Sequence, residues 1–350
     1  MKARISRTIV GGVLAITAVV PLAWLTRPAI AQTSRKAAWS ARTPWGDPEL
    51  QGQWTSESEY GVPFERPPQY GTREFLTDAE YATRLEDVRL RDARDLARVD
   101  VLSGKVDGPN APIPHWREYN TTSRRTSLVI DPSDGRFPPR TPQARPFPIA
   151  QRCGTLQGGE PCDSYGDYGL GVRCIVHGGG FPDAMFPAVY NANMRIIQSP
   201  GTVAITYELI HDTRIIPLGA PPRPDSQWSP PIRSYLGTAR GWWEGTTLVV
   251  ETTSLKAATR GASSGLRLIE RFTRTGRASI QYRVTFIDPS TWTAPWTAAL
   301  DLEARPDDAG VFEYACHEGN YGMNNMLSAS RQLERTAAAG DSRQRSEGQR

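Results

Sequence analysis

The sequence predicts a mainly β protein: an antiparallel up-and-down meander closing into a lipocalin-like barrel, with an N-terminal extended arm and one helix. Three observations predict it. Between Met194 and His317 turn signals recur at short intervals. Within that block Ile280, Tyr282, Val284 and Phe286 alternate with Gln281, Arg283 and Thr285, giving the one dry face and one wet face of antiparallel pairing. Elsewhere one stretch alone carries helical spacing, and proline and glycine dominate the rest. A two-sheet β-sandwich is the alternative.

The 350-residue chain opens with Lys2, Arg4 and Arg7, an uncharged run from Thr8 to Leu25, and Pro28-Ala29-Ile30-Ala31. A basic start, an apolar middle and a small-x-small end form an export signal over 1–31, with cleavage expected after Ala31. The rival is an uncleaved anchor, against which Pro21 and the Ala-Ile-Ala end argue. The expected location is periplasmic or secreted, with no stable membrane insertion after cleavage. Losing Lys2, Arg4, Arg7 and Arg27 leaves 41 less 4 basic residues against 37 acidic ones, a net charge of zero. That balance does not recommend nucleic acid as a partner.

Residues 32–190 read as a Pro/Gly-rich arm packed on the barrel, with a short strand near Gln51 to Thr55, since proline blocks helix interiors and central strands. Inside it, Thr77 to Glu80 makes a capping box, and Tyr81, Leu85, Val88, Leu96 and Val99 follow at mostly helical spacing, predicting a helix over 77–99. Thr126 to Asp131 predicts a strand ending at Asp134-Gly135. The core spans 191–322. Turn counting places strands near 194–198, 202–210, 214–218, 239–243, 247–254, 266–274, 278–287, 295–304 and 311–317. Consecutive short connections make these neighbours, and closure hides the edges. From Glu334 the chain is charged and polar, predicting a disordered tail over 334–350.

Cys153, Cys162, Cys174 and Cys316 allow three pairings. Cys153 and Cys162 bracket a Gly-rich loop, which favours Cys153–Cys162 as a local staple and leaves Cys174–Cys316 to tie the middle of the chain to its end. The spacings match no zinc module, so no metal site is expected there.

The runs PWGDPELQGQW over 44–54, RTSLVIDPSDGR over 125–136, IHDTRIIP over 210–217, LIERFT over 268–273 and ACHEGNYG over 315–322 resemble a large family of exported bacterial proteins of unassigned activity. The resemblance spans nearly the whole mature chain. It implies a shared architecture and no reaction; the Cys153 to Cys162 loop is an addition to the usual pattern.

Candidate chemistry centres on one end of the barrel. Histidine is the side chain suited to proton transfer near neutral pH, and His211 has Asp212 and Glu208 close in sequence to orient it, so it is the candidate for that role. Glu270 shares an apolar strand face with Leu266, Leu268 and Phe272; a carboxylate there must be paired or have its pKa raised. Arg283 points the other way, leaving Arg214 and Arg240 as partners. The structural alternative for each is a turn, an ion pair or packing. The expected site is therefore catalytic His211, Glu270 and Asp212, with Glu208, Arg214, His317, Trp242 and Tyr282 binding ligand. A metal held by His211, Asp212, His317 and Glu318 is disfavoured because nothing like His-Glu-x-x-His occurs.

With no nucleophile elbow, Walker loop or dinucleotide fingerprint, no cofactor is expected. The functional expectation is an exported barrel binding a small, largely apolar molecule. The alternatives are a cofactor-free acid/base enzyme (isomerase, cyclase, hydratase or hydrolase) on the same scaffold, and an envelope interaction module.

Overall fold

In the computed structural model, residues 39–97, 99–100, 105–106, 122–144, 162, 164–177, 181–188, 190–223, 228, 230–256 and 259–347 are described. The expected export signal and Cys153 lie outside them. The N-terminal part supplies β1 (Gly52–Thr55), α1 (Asp78–Ala97), β2 (Val99–Asp100), β3 (Lys105–Val106) and β4 (Val129–Asp131). Then follow β5 (Asn193–Ser199), β6 (Thr202–Tyr207), β7 (Thr213–Pro217), β8 (Thr238–Glu244), β9 (Thr247–Thr253), β10 (Arg267–Gly276), β11 (Ser279–Ile287), β12 (Trp296–Ala304) and α2 (Tyr321–Glu347).

The fold is mainly β. Hydrogen bonding orders nine strands β7-β6-β5-β1-β12-β11-β10-β9-β8, each antiparallel to its neighbours, with β4 added beside β12. The two ends of this path approach and nearly close a barrel. Leu218, just past β7, bridges Gly241 of β8 in the parallel sense, and the Gly219 N–H donates to the Gly241 carbonyl at 2.9 Å. The seam is tight around Gly241: a Cβ on residue 241 would lie 2.9 Å from Leu218 Cδ2 and 3.0 Å from Ile216 Cγ2.

The meander differs from expectation in one respect. Consecutive strands pair from β5 to β7 and from β8 to β12, but β1 of the arm sits between β5 and β12. Trp54 of β1 is buried in the core, so the arm forms part of the wall. No strand forms over 311–317. The edge of β12 opposite β11 is already taken, by β4 toward its start and β1 toward its end, so this extended segment has no ladder to join. It is held instead by the Cys174–Cys316 disulfide. Cys162 is also oxidised.

Inward faces follow the predicted alternation. Leu268, Glu270 and Phe272 of β10 are buried opposite Phe286, Val284 and Tyr282 of β11. Aromatic rings fill the interior: Phe286 stacks on Trp296 at 3.8 Å, Trp296 meets Trp292 and Phe137 edge-on, and Phe272 tilts against Tyr282 at 4.9 Å. The end at the β10–β11 turn, here the lower end, is plugged by residues 39–54. Buried Leu50 donates its N–H to Gln198 Oε1 at 2.7 Å, and the Arg274 guanidinium lies over the Trp39 and Trp54 rings. Phe181, Met185 and Phe186 join the core toward the upper end.

Helix α1 starts where its capping box predicts, with the Thr77 N–H donating to Glu80 Oε2 and the Glu80 N–H to Thr77 Oγ1. The chain end differs from its expectation, being helical to Glu347 rather than disordered over 334–350. Met323, Met326 and Leu327 pack on buried Cys162 and Tyr168, and buried Ser330 accepts the Cys162 N–H at 3.1 Å. A short apolar stripe therefore anchors the first turns, and good helix formers such as Ala337, Ala338 and Ala339 extend them. No described helix is long and apolar enough to cross a membrane.

Candidate functional site

The structure divides the predicted site between the barrel interior and its outside. Alternation turns Arg214 inward with Ile216, and it meets Glu270 as a fork-on-carboxylate pair: Nη1 to Oε1 at 3.0 Å and Nη2 to Oε2 at 2.7 Å. Tyr282 Oη donates to Oε1 at 3.0 Å and Thr252 Oγ1 to Oε2 at 3.1 Å. A carboxylate offers about four acceptor positions, and four donors occupy them. Arg214 also donates to Thr252 Oγ1 and Tyr207 Oη, and its planar group lies 4.0 Å from the Phe181 ring centroid.

Burial tunes these groups. Burial alone would lower the Arg214 pKa, but Glu270 and Tyr207 outweigh it and raise it. Burial pushes the Tyr207 hydroxyl up to about 12, and burial with the Glu270 charge pushes Tyr282 well above its ordinary value. Both phenols are thereby held neutral. With four donors on its two oxygens the Glu270 carboxyl has no acceptor position left for a substrate, so its first role is structural.

His211, Asp212 and Glu208 stand apart from this pair. Glu208 is buried and accepts from Asn191 Nδ2 at 2.6 Å and Asn193 Nδ2 at 2.9 Å, with Arg305 at 3.9 Å. Ile210 and His211 both have left-handed backbones, φ 62° and 50°; for a β-branched residue that is a strained conformation. This turn presents exposed His211, whose Nδ1 lies 3.2 Å from the Tyr314 carbonyl oxygen. The Asp212 carboxyl is pushed up to about 6 by burial, partly offset by the His177 N–H and the charge of His211.

The remaining candidates scatter. His317 is exposed, beyond the disulfide. Trp242 lies on the outer face of β8, donating to Glu244 at 3.1 Å, while Trp243 packs against the core. Arg240 pairs with Glu251 at 2.7 Å, so it is not the partner of Glu270. Among the described residues no three of His, Cys, Asp and Glu are placed to hold a metal ion.

Sequence reasoning missed a groove of about 630 Å³ at the lower end, lined among others by Trp39, Gln53, Arg195, Ile197, Arg277 and Asp307. A recess of about 310 Å³ continues it toward Ala304 and Arg305. Arg195 and Ile197 alternate with buried Met194, Ile196 and Gln198, so they face outward. Among the described residues, the side chains of Arg195, Arg277 and Asp307 have no hydrogen-bond or ion-pair partner. Gln53 is 6 % exposed; its Nε2 donates to the Asp307 carbonyl at 2.6 Å, and its Oε1 has no partner. The groove draws on four separate segments of ordinary surface composition. The one sequence signal near it is the 44–54 run, read above as arm.

Neither family models, nor curated proteins, nor solved structures yield a match to this chain.

Proposed function

We propose that this protein is exported and binds a small polar, anionic molecule in the groove beside β1. The observation that carries the reading is a groove of about 630 Å³ lined by two exposed guanidinium groups, Arg195 and Arg277, that have no partner among the described residues. Sites for small molecules commonly span about 300–1,000 Å³, and guanidinium matches carboxylate and phosphate geometry. A largely apolar ligand inside the barrel has less support, because aromatic side chains occupy that space. Acid/base catalysis is likewise less favoured, given the fully occupied Glu270 carboxylate. The Cys174–Cys316 disulfide supports export, since such bonds persist in oxidising compartments. So does the likeness of five motifs to an exported bacterial family.

The test is calorimetric titration of the exported, oxidised protein with small carboxylates and phosphates, beside mass spectrometry of whatever co-purifies. The double variant Arg195→Ala, Arg277→Ala should keep its circular dichroism spectrum and lose about tenfold or more in affinity, the worth of one charge-assisted hydrogen bond. An unchanged affinity, or recovery of a wholly apolar ligand, would reject the reading.

A further inference from the structure

We infer that the loop over residues 230–237 docks this protein on an anionic lipid surface, with the Ile232 side chain entering the headgroup layer. Ile232 is 79 % exposed, more than any other large apolar side chain among the described residues. A lone exposed isoleucine needs no explanation, but this one is held out by bonds on both sides. Before it, the Pro230 carbonyl accepts from Ser254 Oγ. After it, Arg233 Nη1 donates to the Leu255 carbonyl at 3.2 Å and to the Ser264 carbonyl at 2.6 Å. The Ser234 N–H donates to the Ser254 carbonyl at 3.1 Å, and the Lys256 N–H to the Ser234 carbonyl at 2.7 Å. Ser254, which anchors both sides, has a left-handed backbone, φ 55°; such a residue persists only where its surroundings over-determine it. These bonds do not bury the Ile232 tip. They fix it in solvent.

The charge around the tip has one sign. The segments that meet at this end, 228–240, 254–267 and 288–295, contain Arg233, Arg240, Lys256, Arg260 and Arg267 and a single acid, Asp288, which is 2 % exposed and bonded to Ser263 and Thr291. Arg240 and Arg267 share Glu251, and Arg260 faces Asp183. Arg233 and Lys256 are exposed and have no carboxylate partner among the described residues, so they carry the unbalanced charge. Lys256 Nζ also lies 4.8 Å from the Tyr235 ring centroid. An apolar tip flanked by an aromatic ring and by cations matches a bilayer interface, where apolar groups enter, rings lie at headgroup level and Lys or Arg reach the phosphates. A partner protein's apolar pocket would take the isoleucine and leave the cations unused. The ten residues of β10 run from this end to the groove, about 30 Å. A protein docked through Ile232 therefore carries its groove at the end far from the bilayer.

The experiment is co-sedimentation of the exported, oxidised protein with vesicles of phosphatidylglycerol and phosphatidylcholine in equal parts, beside vesicles of phosphatidylcholine alone. Binding to the mixed vesicles should exceed binding to the neutral ones about tenfold or more, and should fall as salt is raised. Ile232→Ser, with an unaltered circular dichroism spectrum, should lose about tenfold on the mixed vesicles, and Lys256→Ala about fivefold. Ile215→Ser, which alters an isoleucine 59 % exposed on the barrel wall, should bind as wild type does. Wild-type protein that binds neither kind of vesicle, or binds both alike, overturns the assignment. So does an equal loss in Ile232→Ser and Ile215→Ser, because the contact would then not be made by this loop.

Discussion

The Arg214 guanidinium and the Glu270 carboxylate, paired at 3.0 and 2.7 Å, join strands that flank the closure of the barrel: β7 on one side of the seam and β10 on the other. Between β7 and β8 the backbone contributes a parallel bridge rather than a long ladder, so side chains complete the closure. Glu270→Gln should leave a buried guanidinium uncompensated and cost about 3–5 kcal/mol in urea unfolding. Replacing both partners by Met and Leu should cost less than that single change. A loss under about 1 kcal/mol for Glu270→Gln would mean that the pair does not hold the seam.

Gly241 tests the same seam from the backbone. A methyl group there meets Leu218 and Ile216 at or below 3.0 Å, so Gly241→Ala should cost about 1–3 kcal/mol, the usual cost of overpacking. Gly245, whose added Cβ would meet nothing within 4 Å but whose φ is +62°, gives a control in which strain acts without a clash. Equal unfolding midpoints for Gly241→Ala and wild type would contradict a tight seam.

The Cys174–Cys316 bond closes a separation of 142 residues. In the chain-entropy model a loop of that size contributes about 5 kcal/mol. Cys316→Ser should lower the denaturation midpoint accordingly, and peptide mapping without reductant should recover the 174–316 pair. The same map reads out the expected Cys153–Cys162 bond.

Stability should also vary with pH through Glu59. Its carboxyl is pushed from 4.5 up to about 7 by burial, which outweighs the attraction of Arg125, 3.5 Å away. A carboxyl raised in the folded state contributes stability that is complete below about 4.5 and disappears as pH rises through about 7. Asp212, raised to about 6, acts in the same direction. Glu59→Gln should match wild type near pH 4.5 and exceed it by about 3 kcal/mol at pH 8. A stability difference that does not grow with pH would show that Glu59 is not held protonated.

What the sequence made legible follows from how local each signal is. The alternation at Ile280 to Phe286 and the dry face of Leu268, Glu270 and Phe272 are properties of single strands, and they place the barrel wall correctly. The capping box at Thr77 and Glu80 is equally local. Insertion of β1 between β5 and β12 pairs residues about 140 and 250 positions apart, and no periodicity encodes that choice. Arg214 was open to recognition as the partner of Glu270, one of the two arginines left once Arg283 was placed on the opposite face. Arg195, Gln53, Arg277 and Asp307 gave no such hint, because each alone resembles a solvated surface residue.

That inserted strand also dictates an order of events in folding. Without residues 52–55, the two runs β5 to β7 and β8 to β12 would each end in an unpaired edge, and exposed edges recruit other chains. The first strand of the wall must therefore wait for the last: until β12 has been made and delivered, its slot does not exist. Such distant pairing is slow. A chain of this topology gains from keeping its N-terminal arm uncommitted until synthesis is complete.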